Sequence, residues 1–284
     1  MRTSPPQGST LLPGMIRAAH AAGRIQRKYW AQMEKLRTRG GTNSKESKKI
    51  GIREKPEAGL VTLADIESEK ICVKLLKKVR PDFSFLTEEK TIAQTEGRGR
   101  WVIDPLDGTT NFVHGFPMFC VSLAAVWDGL VIAGVIYHPI LKDTYSAARG
   151  KGAKLNGKKL HVSHTSTLED SLLTTGFTYR KNALLHMEMQ AFEELSHVAR
   201  AVRRPGSAAL DLAYTARGVF DGFWERNLAA WDIAAGSLLV SEAGGKVTDF
   251  KGDPLVLDQP AIVATNGRLH ESLLNAISVD LIDD

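Results

Sequence analysis

Residues Trp101 to Asn111 read Trp-Val-Ile-Asp-Pro-Leu-Asp-Gly-Thr-Thr-Asn, an apolar strand ending in two carboxylates three positions apart, then a glycine and two hydroxyls. An aspartate pair projected from a tight turn can hold hard divalent cations. The small residues behind it leave backbone N–H groups able to approach an anionic oxygen. A plain Asx-Pro loop is the alternative, and the trailing Gly108-Thr109-Thr110 favours the anion-binding reading.

The rest of the chain gives this turn an ordinary globular setting. Its 284 residues, 43% hydrophobic and 24% charged, are enough for one large domain or two intimate lobes. Cys72 and Cys120 are the only cysteines, which argues against a disulfide framework or thiolate cluster and for a reducing, cytoplasmic setting. No stretch is apolar enough to span a bilayer, so no membrane partner is expected. Residues 1–13 lack the apolar core of a secretory signal and read as a disordered tail. The +5 formal charge permits weak attraction to nucleic acid but names no partner.

Residues 14–284 read as a single domain whose two lobes divide near residue 180. Apolar periodicity predicts a helix from Gly14 to Leu36, then a basic flexible stretch, then a helix capped by Asp65 and running to Val79. In that second helix Cys72 falls on the buried stripe, as packing. Asp128-Gly129 between Phe119–Trp127 and Leu130–Tyr137 predicts a hairpin, and Asn156-Gly157 a second one. Helical patterns at Asn182–Ala201 and Ala208–Ala216 alternate with β-rich runs at Val219–Trp224, Lys246–Asp249 and Ala261–Ala264, before a closing helix after Asn266. This mixture predicts stacked α and β layers.

Three further acidic positions, in two motifs, can converge on Asp104 and Asp107. Glu88-Glu89 follows the apolar run Phe83-Ser84-Phe85-Leu86, as though a strand delivers a carboxylate at its exit. Asp232 opens a helix rich in small residues, where on its own it reads as a cap. His114 and His138 read as structural or surface groups, since oxygen ligands suffice for a hard cation.

Together, Trp101–Asn111 (WVIDPLDGTTN), Trp231–Gly245 (WDIAAGSLLVSEAGG), Thr87-Glu88-Glu89 and Arg203–Asp211 resemble the inositol monophosphatase family, most of all its bacterial, SuhB-type branch. The resemblance runs from about Gly14 onward. It implies an α-β-α-β-α layered sandwich with mixed, largely antiparallel sheets, and a Mg²⁺-dependent phosphomonoesterase favouring inositol monophosphate. It also implies lithium sensitivity and a homodimer. By the same resemblance Glu89, Asp104 and the Leu106 carbonyl hold one Mg²⁺, while Asp104, Asp107 and Asp232 hold a second. Glu89 and Thr109 act on the attacking water, with Asp65 behind Thr109. Gly108 and Thr109 N–H groups hold phosphate, and Gly206, Ser207, Ala208 and Glu225 meet the alcohol. From the residues alone, Glu225 reads equally as an exposed partner of Arg226, and Asp211 as support for a helix. Lys55 matches a mobile-loop lysine, although Lys45–Ile52 lengthens the segment before it, and Lys90 departs from the family's usual small polar residue. Fructose bisphosphate, NADP, histidinol phosphate and phosphoadenosine phosphate are the alternative substrates. A binding role toward RNA or transcription proteins is the alternative of another class.

Overall fold

The computed structural model describes residues 5–38, 51–55, 59–89, 97–178, 183–259 and 261–278. Helix α1 (Gly8–Thr38) packs beside α2 (Leu63–Val79). Both cover one face of a seven-stranded sheet of β3 (Ser84–Thr87), β4 (Gly99–Asp107), β5 (Cys120–Trp127), β6 (Leu130–His138), β7 (Asp143–Ala148), β8 (Ala153–Leu155) and β9 (Lys158–Lys159), ordered as numbered. A two-stranded ribbon, β1 (Arg53–Lys55) and β2 (Gly59–Val61), precedes α2, and α3 (Thr109–His114) follows β4. Helices α5 (Ala208–Ala216) and α6 (Ala230–Glu242) pack on the other face of the large sheet.

Beyond them lies a five-stranded sheet ordered β11-β10-β12-β14-β13, built from β10 (Leu172–Thr175), β11 (Ala201–Arg203), β12 (Gly222–Arg226), β13 (Lys246–Thr248) and β14 (Ala261–Thr265). Helices α4 (Ala183–Val198) and α7 (His270–Ile277) form the outermost layer. The expected α-β-α-β-α order is present. The small sheet begins at Leu172, ahead of the boundary near residue 180 anticipated from sequence.

Burial explains the patterning. Every residue of β5 is buried, because helices cover both faces of the large sheet, so the strand is a continuous apolar run rather than an alternating one. The same logic holds for α6, which sits between the sheets and buries Ile233 through Val240 without a polar face. Its small residues permit close approach: a Cβ on Gly134 of β6 would lie 2.9 Å from the Ala235 carbonyl oxygen.

Two local expectations change and others hold. Helix α1 starts at Gly8, not Gly14, so Gly8–Pro13 is helix rather than tail. Leu11 and Met15 are buried against the large sheet, and Gly8 rests on the Ile132 carbonyl where any Cβ would overlap it. The cap of α2 is Thr62; Asp65 is the third helical residue and completes a capping box by accepting the Thr62 backbone N–H at 2.8 Å. Both predicted hairpins form, with Asp128, Gly129, Asn156 and Gly157 all at positive φ. Cys72 is fully buried in the α1–α2 core.

Candidate active site

Asp104 and Asp107 reach the same cavity because the strand that carries them is bulged. Asp104 pairs with Ser122, and the next pair is Asp107 with Cys120, so three steps on β4 span two on β5. In a regular strand residues i and i+3 point to opposite faces; one extra residue restores them to the same side. Pro105 costs no ladder bond there. The Leu106 N–H donates to Asp104 Oδ1 at 2.9 Å, while Ser207 Oγ at 2.6 Å and Ala209 N–H at 2.8 Å donate to Asp107 Oδ2. These last two donors come from the start of α5, which locks the two sheets together at the site.

Asp232 arrives from the third position of α6, where its Oδ2 accepts the Ala229 N–H at 2.7 Å. One oxygen from each of Asp104, Asp107 and Asp232 lies within 4.8 Å of the others. Burial, then the charges of Glu88, Asp107 and Asp232, hold Asp104 well above the usual carboxylate range. Asp107 is pushed up to about 6 by burial, against the opposing bonds from Ser207 and Ala209. Crowded, desolvated carboxylates of this kind are stable as anions only with a compensating cation, and an all-oxygen donor set suits a hard divalent ion.

Glu88, not Glu89, faces this cluster. β3 runs parallel to β4 with Thr87 opposite Ile103, and the Glu88 N–H donates to the Ile103 carbonyl, which brings Glu88 level with Asp104. Glu88 lines the cavity with Asp104 and Asp107 and raises the pKa of both. The next residue falls on the other side of the chain, where the Glu89 N–H donates to Glu69 of α2 at 2.9 Å. Of the pair, the residue expected at the site from sequence was Glu89, and the structure puts Glu88 in the cavity instead.

Thr109 opens α3 behind Gly108, whose φ of 90° and 2.7 Å clearance from the Met118 carbonyl exclude a side chain. The Thr109 hydroxyl lies 2.8 Å from Asp65 Oδ1 and 3.0 Å from the Leu106 carbonyl oxygen. Asp65 is completely buried and raised to about 6 by desolvation, opposed by its bonds to Thr62 and Thr109. It thus serves α2 as a cap partner and the site as the anchor of Thr109.

On the remaining side the cavity, of about 250 Å³, is walled by residues of the small sheet and of α5 and α6. Gly206, Ser207, Ala208 and Glu225 all line it. Ser207 is buried and its hydroxyl is committed to Asp107. Glu225 enters the cavity through space that Gly176 leaves open, since a Cβ there would overlap its carboxylate. The Arg226 alternative fails: its guanidinium stacks over Phe250 at 3.6 Å from the ring centre. Asp211 is buried in the first turn of α5, and burial, Glu225 and Asp107 drive its pKa well up. Arg204, Asn227 and Trp231 also line the cavity and were signalled only by their nearness to Gly206, Glu225 and Asp232 in sequence; Phe177 and Thr178 line it as well, and no sequence signal marked them.

The two discounted histidines stay apart from the cluster's chemistry. His114 is exposed at the end of α3, and His138 is buried against Phe119. Lys55 ends β1, but its side chain, like Lys45–Ile50 and Lys90, lies outside the described residues.

A profile of the inositol monophosphatase family matches residues 9–281. The chain is 40% identical over 271 residues to the Nus factor SuhB of Pseudomonas aeruginosa, covering 94% of this chain and 95% of that protein. It is 39% identical over 274 residues to an inositol-1-monophosphatase of Mesorhizobium japonicum, covering 96% and 98%. Among solved structures, the extragenic suppressor protein suhB of Bartonella henselae superimposes with a TM-score of 0.86 at 37% identity, over 95% of this chain and 99% of that one. An IMPase/NADP phosphatase complexed with Mg²⁺ and phosphate superimposes with a TM-score of 0.72 at 27% identity, over 83% and 88%. A match across nearly the whole length, meeting an oxygen-only carboxylate cluster at the mouth of two sheets, makes this chain a member of the inositol monophosphatase family and a phosphomonoesterase.

Proposed function

We propose that the protein hydrolyses phosphate monoesters of small polyols, inositol monophosphate foremost, in a Mg²⁺-dependent reaction. The observation that carries this reading is the convergence of Asp104, Asp107 and Asp232 within 4.8 Å, with Glu88 in the same cavity. The inositol-1-monophosphatase relative and the Mg²⁺ and phosphate complex of a structural neighbour support it. Glu88, Asp104, Asp107, Asp232 and the Leu106 carbonyl would hold the metal. Bound there, Mg²⁺ supplies neutralisation of the phosphate oxygens and a lowered pKa for the attacking water.

The protein's own groups do the rest. Gly108 and Thr109, at the start of α3, direct backbone N–H groups toward phosphate oxygens. Thr109, held by Asp65, orients the attacking water, and Glu88 accepts its proton. Water adds to phosphorus as the ester P–O bond breaks, and the departing alkoxide takes a proton from solvent water to leave as the free alcohol. Glu225 meets a hydroxyl of the alcohol. Turnover of the purified chain on inositol monophosphate, fructose 1,6-bisphosphate, NADP, histidinol phosphate and phosphoadenosine phosphate tests the substrate. Equal rates on all five would remove the inositol preference, and turnover undiminished by millimolar Li⁺ at limiting Mg²⁺ would count against the assigned metal cluster.

The Nus factor name of the Pseudomonas relative, with the +5 charge, supports a second reading: binding to RNA or transcription proteins alongside catalysis. Salt-dependent RNA binding that survives in Asp104→Asn, where phosphate release is lost, separates the two roles.

A further inference from the structure

Gly176, Phe177 and Thr178 follow β10 and form the part of the cavity wall next to Glu225. None carries a charge, so their position depends on what stands behind them. The Thr178 N–H donates to Glu188 Oε2 at 2.8 Å, and Asn227 Nδ2 donates to the Thr178 hydroxyl at 3.3 Å. Phe177 meets Phe192 edge to face, with ring centres 5.5 Å apart. Glu188 and Phe192 sit one turn apart on α4, so a single helix face backs the whole segment.

Glu188 is an unusual residue to bury. It is 5% exposed, and its Oε1 has no hydrogen-bond partner among the described residues. It lines a small hollow behind the wall together with Trp224, Arg226 and Phe250, and that hollow shares Gly176 and Glu225 with the main cavity. A buried carboxylate carries a desolvation cost, here opposed by the Thr178 bond and by the charges of Arg226 and Arg204. Its geometric effect is specific: it fixes the peptide of Thr178 from behind, while Glu225 occupies the space left by Gly176.

We propose that Glu188 is a positioning residue for the wall formed by Gly176, Phe177 and Thr178, and that through it α4 sets the affinity for the alcohol part of the substrate. This role rests on the phosphatase reading above. It acts on the ring-bearing end of the ester and leaves the phosphate end alone.

The test is steady-state kinetics of the full chain with Mg²⁺, on inositol monophosphate and on glycerol 2-phosphate, with inorganic phosphate as a product inhibitor. Glu188→Ala is expected to raise KM for inositol monophosphate about tenfold, with KM for glycerol 2-phosphate and the inhibition constant of phosphate each within about twofold of wild type. Glu188→Gln keeps an acceptor for the Thr178 N–H and is expected to restore KM to within about threefold. Phe192→Leu weakens the second anchor, should move KM in the same direction, and serves if Glu188→Ala does not fold. An unmoved KM in these variants overturns the role, as does an equal loss on both substrates and on phosphate. Where the wild type prefers another ester, the largest one it turns over replaces inositol monophosphate. A wild type inactive on every ester overturns the phosphatase reading itself, which distinguishes that failure from failure of the wall.

Discussion

The two ends of the cavity differ in where the charge that offsets their carboxylates comes from. At the large-sheet end Glu88, Asp104, Asp107 and Asp232 repel one another, and burial worsens the repulsion. At the small-sheet end burial also raises Glu225, Asp211 and Glu188, and neighbouring carboxylates add to the rise in the first two, but Arg204 opposes the rise in all three and Arg226 opposes it in Glu188 as well. The first region is therefore completed only by a cation from outside, whereas the second carries part of its counter-charge in Arg204 and Arg226. Sites that must bind tightly and selectively are commonly less stable alone than filled.

The largest way to break this contrast is Asp104→Asn. It should lower phosphatase turnover by at least about a thousandfold, and it should raise the Tm of the metal-free protein, since it removes a like charge from the crowd. A lowered Tm without metal would show that the cluster is not self-repelling.

The pH dependence of metal-free stability sharpens the same point. Asp104 and Asp107 have folded pKa values above their unfolded ones, so their contribution is fully present below about pH 4 and is lost as pH rises through about 6 for Asp107. His270 works the other way. It is buried between Thr248 and Thr265, with its pKa lowered to about 4 by desolvation first and Lys246 second. Its contribution is complete above about pH 6.5 and is lost as pH falls toward 4, amounting to about 3 kcal/mol. Chemical denaturation across pH should show Mg²⁺ steepening the acid limb, and His270→Gln flattening it without affecting the Mg²⁺ dependence.

A smaller effect separates the two ends functionally. Gly176→Ala drives a methyl group into the Glu225 carboxylate. It should raise KM for inositol monophosphate about tenfold while the apparent Mg²⁺ affinity stays within about twofold, read from rates over a Mg²⁺ titration. A matching loss of Mg²⁺ affinity would mean the two ends are one unit.

Much of this site was legible in the chain. Trp101–Asn111 announces itself because strand, carboxylates, glycine and hydroxyls are adjacent, and Asp232 because small residues surround it. The Asp65–Thr109 bond was also anticipated, through the family pattern. What failed was phase. Choosing between Glu88 and Glu89 requires the register of β3 on β4, a property of two strands that neither contains alone. The start of α1 was misjudged for a related reason: Pro13 and the small polar residues before it look like a tail, and only contact with the large sheet makes Leu11 a core residue. Thr62 was passed over as a cap because Asp65, three residues on, is also a capping type and takes the reciprocal half of the same box.

The bond from Ser207 to Asp107 spans a hundred positions of chain. An assembly intermediate holding only the seven-stranded layer would have its first aspartate ready and its second swinging loose. Such a species would be inert toward esters, so during refolding the return of turnover would time the last docking event, and spectroscopic recovery of β structure would run ahead of it.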